Sequence, residues 1–339
     1  MAFAVSLPFF CSESLMVTIN LMGISIIVVL GIHILTGYCG MVTLGQAGFV
    51  AVGAYTSLIL AMKLGFSFWE ALPCAAIISG LVGVIFGLAV LRMRGFYLVI
   101  ATLAAGILIP GIISTEILPA VNIASIGVLM PSYPTIGSIS FDTQGKMWFI
   151  ILLFIVVVTL ITVNFARGRA GRAFCSIRDN TLAVETMGVN VSLYKLYAFF
   201  ICCVFAGVGG SLYAYWMQVV SIEQFSYQES IIFLGAVVIG GLGSIAGALI
   251  GGAVIRGVGY LVSTQIVDRA INIGLGGAES FLSSFITPQT ASLIVTHAVG
   301  VFPLLIGLIT VLFIVFVPQG LIQWWNKFRG SYRLWPLSQ

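Results

Sequence analysis

The chain has 339 residues, 60% of them hydrophobic and 7% charged, with a mean hydropathy of +1.17. This excludes a soluble globule, since so few polar groups cannot cover a body of this size. The formal net charge of +4 is no nucleic-acid footprint, because the basic residues are spread over three loops without stacking aromatics beside them.

What remains is a membrane protein. Its apolar runs are continuous over helix length instead of alternating every second residue, which points to an all-α polytopic fold and against a barrel. A hydrocarbon core about 30 Å thick needs roughly 20 apolar residues per helix. In chain order, spans are predicted at about 14–36, 40–62, 71–91, 95–113, 147–165, 195–217, 229–242, 244–263 and 291–317. This gives about nine transmembrane helices, within a range of eight to ten. The seventh is short and Gly-rich, which predicts a break. Residues 1–14 lack a basic n-region, so the first span is expected to persist in the mature protein.

Orientation follows from the basic residues. Arg92 and Arg94 fall between the third and fourth spans, Arg167, Arg169, Arg172, Arg178 and Lys195 lie in one island, and Lys327, Arg329 and Arg333 lie in the tail. The positive-inside rule makes all three cytoplasmic, with the C-terminus inside and, for nine spans, the N-terminus outside. A re-entrant piece in the polar stretch near 37–48 would change that parity. Residues 1–339 form a single membrane domain, with outside loops at Ser114–Lys146 and Thr264–Pro288.

Two Gly-rich stretches recur, one in each half: GYCGMVTLGQAGFVAVGAY from Gly37 to Tyr55 and GAVVIGGLGSIAGALIGG from Gly235 to Gly252. Small residues let helix backbones approach closely in lipid, and Gly243, Gly247 and Gly251, four apart, are read as one packing face. Interrupted helices can also present backbone to a passing solute. Tyr38, Thr43, Gln46 and Tyr55 are therefore the candidate pathway groups, with helix packing as the competing role for each.

Catalytic motifs are missing. The chain has no GxxxxGK[ST] phosphate loop, HExxH, paired CxxC or nucleophile elbow, so it is not expected to be an enzyme. Cys11, Cys39, Cys74, Cys175, Cys202 and Cys203 lack metal or disulfide spacing and are read as small packers, leaving no metal site. His33, Arg256 and His297 are too few and scattered for an ion-coupled carrier. Each His is expected to be a packed, hydrogen-bonded residue. Asp268 is too far along the chain to be assigned as the partner of Arg256, and Glu70, Glu116, Glu223 and Glu229 are placed at span ends or in loops.

The charged island, residues 166–194, is the one place that can hold a water-soluble partner. From Asp179 to Met187 the sequence DNTLAVETM predicts a short helix, capped by Asp179 or Asn180 and ended by Gly188. Leu182 and Thr186 share its face, flanked by Arg178, Asp179 and Glu185, which suits a groove on a partner.

This island resembles the ATPase-coupling loop of ABC importer permeases, whose pattern of Glu, small residue and Gly is represented by Ala183, Glu185 and Gly188. Three further segments, Gly37–Tyr55, Gly240–Ala253 and the terminal Pro318–Leu321, fall in the order found in the branched-chain amino acid permease family, as does the island segment Gly171–Phe199. The chain is identified as a member of that family, in its LivM-like branch. The resemblance implies an importer permease of the type II kind in a bacterial inner membrane. It further implies a second, related permease subunit, two cytoplasmic ATPases that bind ATP and Mg, an external solute-binding protein and surrounding lipid. The chain itself would bind no cofactor and no nucleic acid. Branched-chain amino acids are the implied cargo, with urea or short amides as the alternative and a lone ion-coupled carrier as a distant one. His33 stands where the family commonly has Asn.

Overall fold

The computed structural model describes residue 8 and residues 13–260, except 91, 92, 94, 121–126, 137 and 138. Helix dominates because a backbone in lipid must satisfy its own hydrogen bonds. The elements are α1 (Glu13–Ile32), continued by a π-helical stretch His33–Tyr38, then α2 (Gln46–Leu64), α3 (Phe68–Val90) and α4 (Phe96–Ile112). After a loop region carrying β1 (Val128–Leu129), β2 (Thr135–Ile136) and β3 (Ile139–Ser140) come α5 (Gln144–Arg167), α6 (Arg169–Asp179), α7 (Thr181–Thr186) and α8 (Val191–Met217). The chain then forms β4 (Val219–Val220), a 3-10 turn Ile222–Phe225, α9 (Tyr227–Gly240) and α10 (Ile245–Tyr260).

Among the described residues six helices are long and apolar enough to cross a membrane: Leu15–Tyr38, Gln46–Leu64, Phe68–Ala89, Phe96–Ile117, Gln144–Arg167 and Val191–Met217. Two shorter apolar helices, α9 and α10, follow. These coincide with the first eight predicted spans. The ninth span, the loop Thr264–Pro288, His297, Cys11, Arg92, Arg94 and the basic tail lie outside the described residues.

α8 is the central post. Its small residues admit two neighbours: a Cβ on Gly210 would collide with the Val50 carbonyl oxygen of α2, and one on Gly207 would lie 2.7 Å from Ser79 Cβ of α3. Short polar links tie the same faces. Ser57 Oγ meets Ser211 Oγ at 2.7 Å, and Ser79 Oγ lies 3.0 Å from the Phe49 carbonyl and 2.9 Å from that of Cys203. Hydroxyls matched across helices replace the hydrophobic drive that lipid cannot supply. The opposite faces of α3, α4 and α5 turn outward the exposed side chains Leu81, Ile85, Leu108 and Leu160, as a lipid-facing surface requires.

Helix directions follow from the pairs along α8. On α1, Gly31 packs on Cys202 and Val28 on Gly209, so α1 is antiparallel to the post. On α2, Gln46 reaches Cys202 and Ser57 reaches Ser211, so α2 is parallel to it. The chain therefore reverses between α1 and α2, and the second helix starts at Gln46 instead of near residue 40. The turn Gly241–Ser244 reverses it again between α9 and α10, so the break expected in the seventh span falls at its end. On the side of the molecule opposite α6 and α7, β1 pairs antiparallel with β4, Val128 with Val220 and Leu129 with Val219. There too Gln144, at the start of α5, joins Asn20 Nδ2 (3.0 Å) and Trp216 Nε1 (2.7 Å).

Candidate functional site

The reversal between α1 and α2 puts irregular backbone inside the membrane body, which is tolerated only where protein groups satisfy it. They do. The Met41 amide donates to the Leu35 carbonyl at 3.1 Å, and the Thr36 hydroxyl to the Met41 carbonyl at 3.1 Å. The Leu44 amide reaches Thr102 Oγ1 of α4 at 3.2 Å, and the Ala47 amide reaches Ser230 Oγ of α9 at 2.9 Å. Gly40, with φ +73, makes the bend in a conformation that side-chain-bearing residues rarely adopt. His33 is fully buried beside it, its ring edge-on to Tyr38 at 5.4 Å. Neither of its nitrogens has a hydrogen-bond partner among the described residues, where one was expected.

Of the four candidate pathway residues, three lie on or beside this reversal. Tyr38 is half-buried at its start, and Thr43 is buried with its hydroxyl 3.4 Å from the Gly45 amide. Gln46 is buried and spent on α8: its Nε2 donates to the Cys202 carbonyl at 3.2 Å, and its Oε1 accepts from Cys202 Sγ at 3.3 Å. Tyr55 lies apart, nine residues or roughly 14 Å further along α2. It is buried, its hydroxyl lacks a partner among the described residues, and its ring meets Phe225 edge-on.

The island folds as two helices where one was expected. α6 follows from Gly171, Phe174 and Ile177, which recur every three residues and are buried, while its arginines alternate outward. α7 is capped by Asn180, whose Oδ1 accepts the Ala183 amide at 3.1 Å. Gly188, at φ +81, ends it by donating to the Glu185 carbonyl at 3.0 Å. Leu182 on α7 and Met187 just after it are 69% and 83% exposed, and Glu185 and Asp179 are exposed alongside.

Arg178 links this island to the reversal. Its Nη1 donates to the Gly37 carbonyl at 2.8 Å and its Nε to Asp179 at 3.1 Å. A cavity of about 600 Å³ opens there, lined by Cys39, Gly40, Phe96, Arg178, Thr181 and Lys195 among others.

The packing glycines divide. Gly247 and Gly251 lie on α10 and face α9, where a Cβ on either would collide with the Gly240 or the Ala236 carbonyl oxygen. Gly243 is not on that helix; it sits in the preceding turn at φ +94, close to Arg178 and Gly37.

One buried ion pair was missed by sequence reasoning. Arg256 does have an acidic partner: Nη2 and Nη1 donate to the two carboxylate oxygens of Glu229, the latter at 3.3 Å, and Nε donates to Ser25 Oγ at 2.9 Å. Glu229 opens α9, but it is only 27% exposed, and Arg256 is 14% exposed. Both lie 12 residues from the Gly241–Ser244 turn, one before and one after. That is roughly 18 Å along the helices from that turn. The equal spacing about a Gly-rich turn was the available signal. Among the described residues no cluster of His, Cys, Asp and Glu could hold a metal.

Apolar helices around a central post, with irregular backbone satisfied within the helical body, define a multi-pass membrane protein. Residues 14–299 match the family described as branched-chain amino acid transport system / permease component, and the chain belongs to that family. Its members are permease components, not enzymes. Over 266 residues the chain is 33% identical to the high-affinity branched-chain amino acid transport system permease protein LivM of Salmonella typhimurium and to that of Escherichia coli, covering 71% of this chain and 62% of each relative. The chain thus spans about three fifths of the length of these relatives. It is 27% identical over 190 residues to the nucleoside ABC transporter permease protein NupC of Lactococcus lactis, covering 52% of this chain and 59% of that one. No solved structure matches at a significant level.

Proposed function

We propose that the chain is the permease subunit of an ATP-driven importer of branched-chain amino acids. The observation that carries this is the 33% identity to LivM over 71% of the chain, and the exposed Leu182 on α7 supports it. In this reading the side bearing α6 and α7 is cytoplasmic, as is the C-terminus, and the membrane is the bacterial inner one. Two ATPase subunits that hold ATP and Mg receive α7 in a groove, with Leu182 as its apolar contact and Arg178, Asp179, Ala183, Glu185 and Gly188 shaping and flanking it. Their closure is passed through Arg178 to the reversal at Gly37–Gln46, where Tyr38, Thr43 and Gln46 border the path, with Tyr55 further along α2. A second, related permease subunit and an external binding protein complete the machine, and the two access states are populations biased by nucleotide and by the docked binding protein.

The test is leucine uptake in cells deleted for the gene and complemented with wild type, Glu185→Lys or Gly188→Pro. Wild type is expected to restore uptake, and both variants are expected to lose it while still reaching the membrane. Normal uptake by both variants overturns the coupling role of α7. The likeness to a nucleoside permease favours one second reading, in which complementation restores uridine uptake and not leucine.

A further inference from the structure

A second cavity lies at membrane depth, away from the island. Its volume is about 240 Å³, below the roughly 300–1,000 Å³ of pockets for drug-sized ligands, which suits a small solute. Glu229, Arg256 and Ser25 line one side of it, and Leu21, Val28, Val50 and Phe233 are among its apolar lining. Charges at this depth are expensive and are seldom kept for packing alone.

The pair is not saturated. A guanidinium has five N–H donors, and the bonds to Ser25 and to the two Glu229 oxygens take three. The Glu229 carboxylate has about four lone-pair sites, two of them facing Arg256. Phe233 lies under the guanidinium, 5.3 Å from its carbon, and keeps the plane oriented. The cavity wall therefore offers a fixed cation and a fixed anion side by side, with unused bonding capacity on each, next to an aliphatic surface.

We propose that this cavity is a transit site for an amino acid zwitterion. The α-carboxylate takes the free N–H of Arg256 Nη2, on the flank it shares with Nε and Ser25, the α-ammonium takes the open lone pairs of Glu229, and the aliphatic side chain lies on Leu21, Val28 and Val50. The ion pair need not open, since the four charges alternate in sign. This chemistry rejects solutes that carry only one of the two charges, because the other wall charge would lose water without gaining a partner. The proposal rests on the amino acid reading above and adds the residues that meet the cargo.

The test uses the whole importer, with both permeases, the ATPases and the binding protein, in proteoliposomes. Leucine uptake is compared for wild type, the double variant Glu229→Gln with Arg256→Gln, and Leu21→Trp. The double variant keeps side-chain hydrogen bonding across α9 and α10 without charge, and Leu21→Trp fills the cavity with both charges in place. Co-purification of the ATPases checks that each complex assembles. Loss of charge-assisted contacts to the cargo predicts a fall of at least about tenfold in the double variant, and Leu21→Trp is expected to fall comparably. A purely structural pair predicts uptake within about twofold of wild type in Leu21→Trp, and that result in an assembled complex overturns the site while leaving the amino acid reading intact. Wild-type complexes that carry another solute and no leucine overturn both.

Discussion

Replacing Arg178 by Met cuts the link between the island and the reversal. A hydrogen bond to a charged group is worth about 1.5–3 kcal/mol when shielded. The Arg178 side chain is 39% exposed, so screening brings the bond to Gly37 down to about 1–1.5 kcal/mol. Removing it also leaves the Gly37 carbonyl without this donor in the last turn of the helix, where no later amide follows in the helical ladder. An equilibrium between docked and undocked island should then shift by about five- to tenfold. The assay is leucine taken up per ATP hydrolysed by the reconstituted importer, expected to fall severalfold while the complex still assembles. Gly40→Val reaches the same link from the other side, since its Cβ would sit 2.8 Å from Arg178 Cγ at a φ of +73. An unchanged ratio in both variants would refute the idea that Arg178 carries the motion.

Other outcomes follow from the packing and the topology. Gly251→Val drives a side chain into the Ala236 carbonyl and the Gly240 backbone, and thermal unfolding in detergent should register a loss of about 1–3 kcal/mol or more. Gly111→Ala on α4 meets nothing within 4 Å and should be neutral or gain a few tenths of a kcal/mol from helix propensity. Loss of stability in the second would contradict the packing assigned to α4. Cysteines placed at Leu182 and Leu129, 69% and 70% exposed, should react with an impermeant maleimide from opposite sides of the membrane, Leu182→Cys only from the cytoplasm. Labelling of both from one side would contradict the placement of α7 and β1.

Much of this architecture was legible because hydropathy over a helix length is a strong signal, and the first eight predicted spans coincide with observed helices to within a few residues. The misses have particular causes. The second span was started near residue 40 because Met41, Val42 and Leu44 are apolar, yet Gly40 turns the backbone and the chain stays irregular until Gln46. α6 is hard to read from the sequence because its buried face is only Gly171, Phe174 and Ile177, set among Arg169, Arg172, Arg178 and Asp179, too narrow an apolar stripe to stand out from a charged loop. The polarity of Gln46 points to the path, but in the structure its amide is committed to Cys202, a contact between residues 156 apart that no local pattern reveals. Glu229 was assigned to a span end because it does open α9. What took it into the membrane is that α9, at 14 residues, spans roughly 21 Å, too short to reach both surfaces of a core about 30 Å thick.

The central claim is that this chain provides the path for amino acids and that partner ATPases provide the energy. Its most direct test is labelled leucine uptake into proteoliposomes with external binding protein and internal ATP, prepared with and without this chain. Uptake that needs both the chain and ATP is the predicted result. Leucine accumulation by the chain alone under an ion gradient, with the ATPases left out, would contradict it.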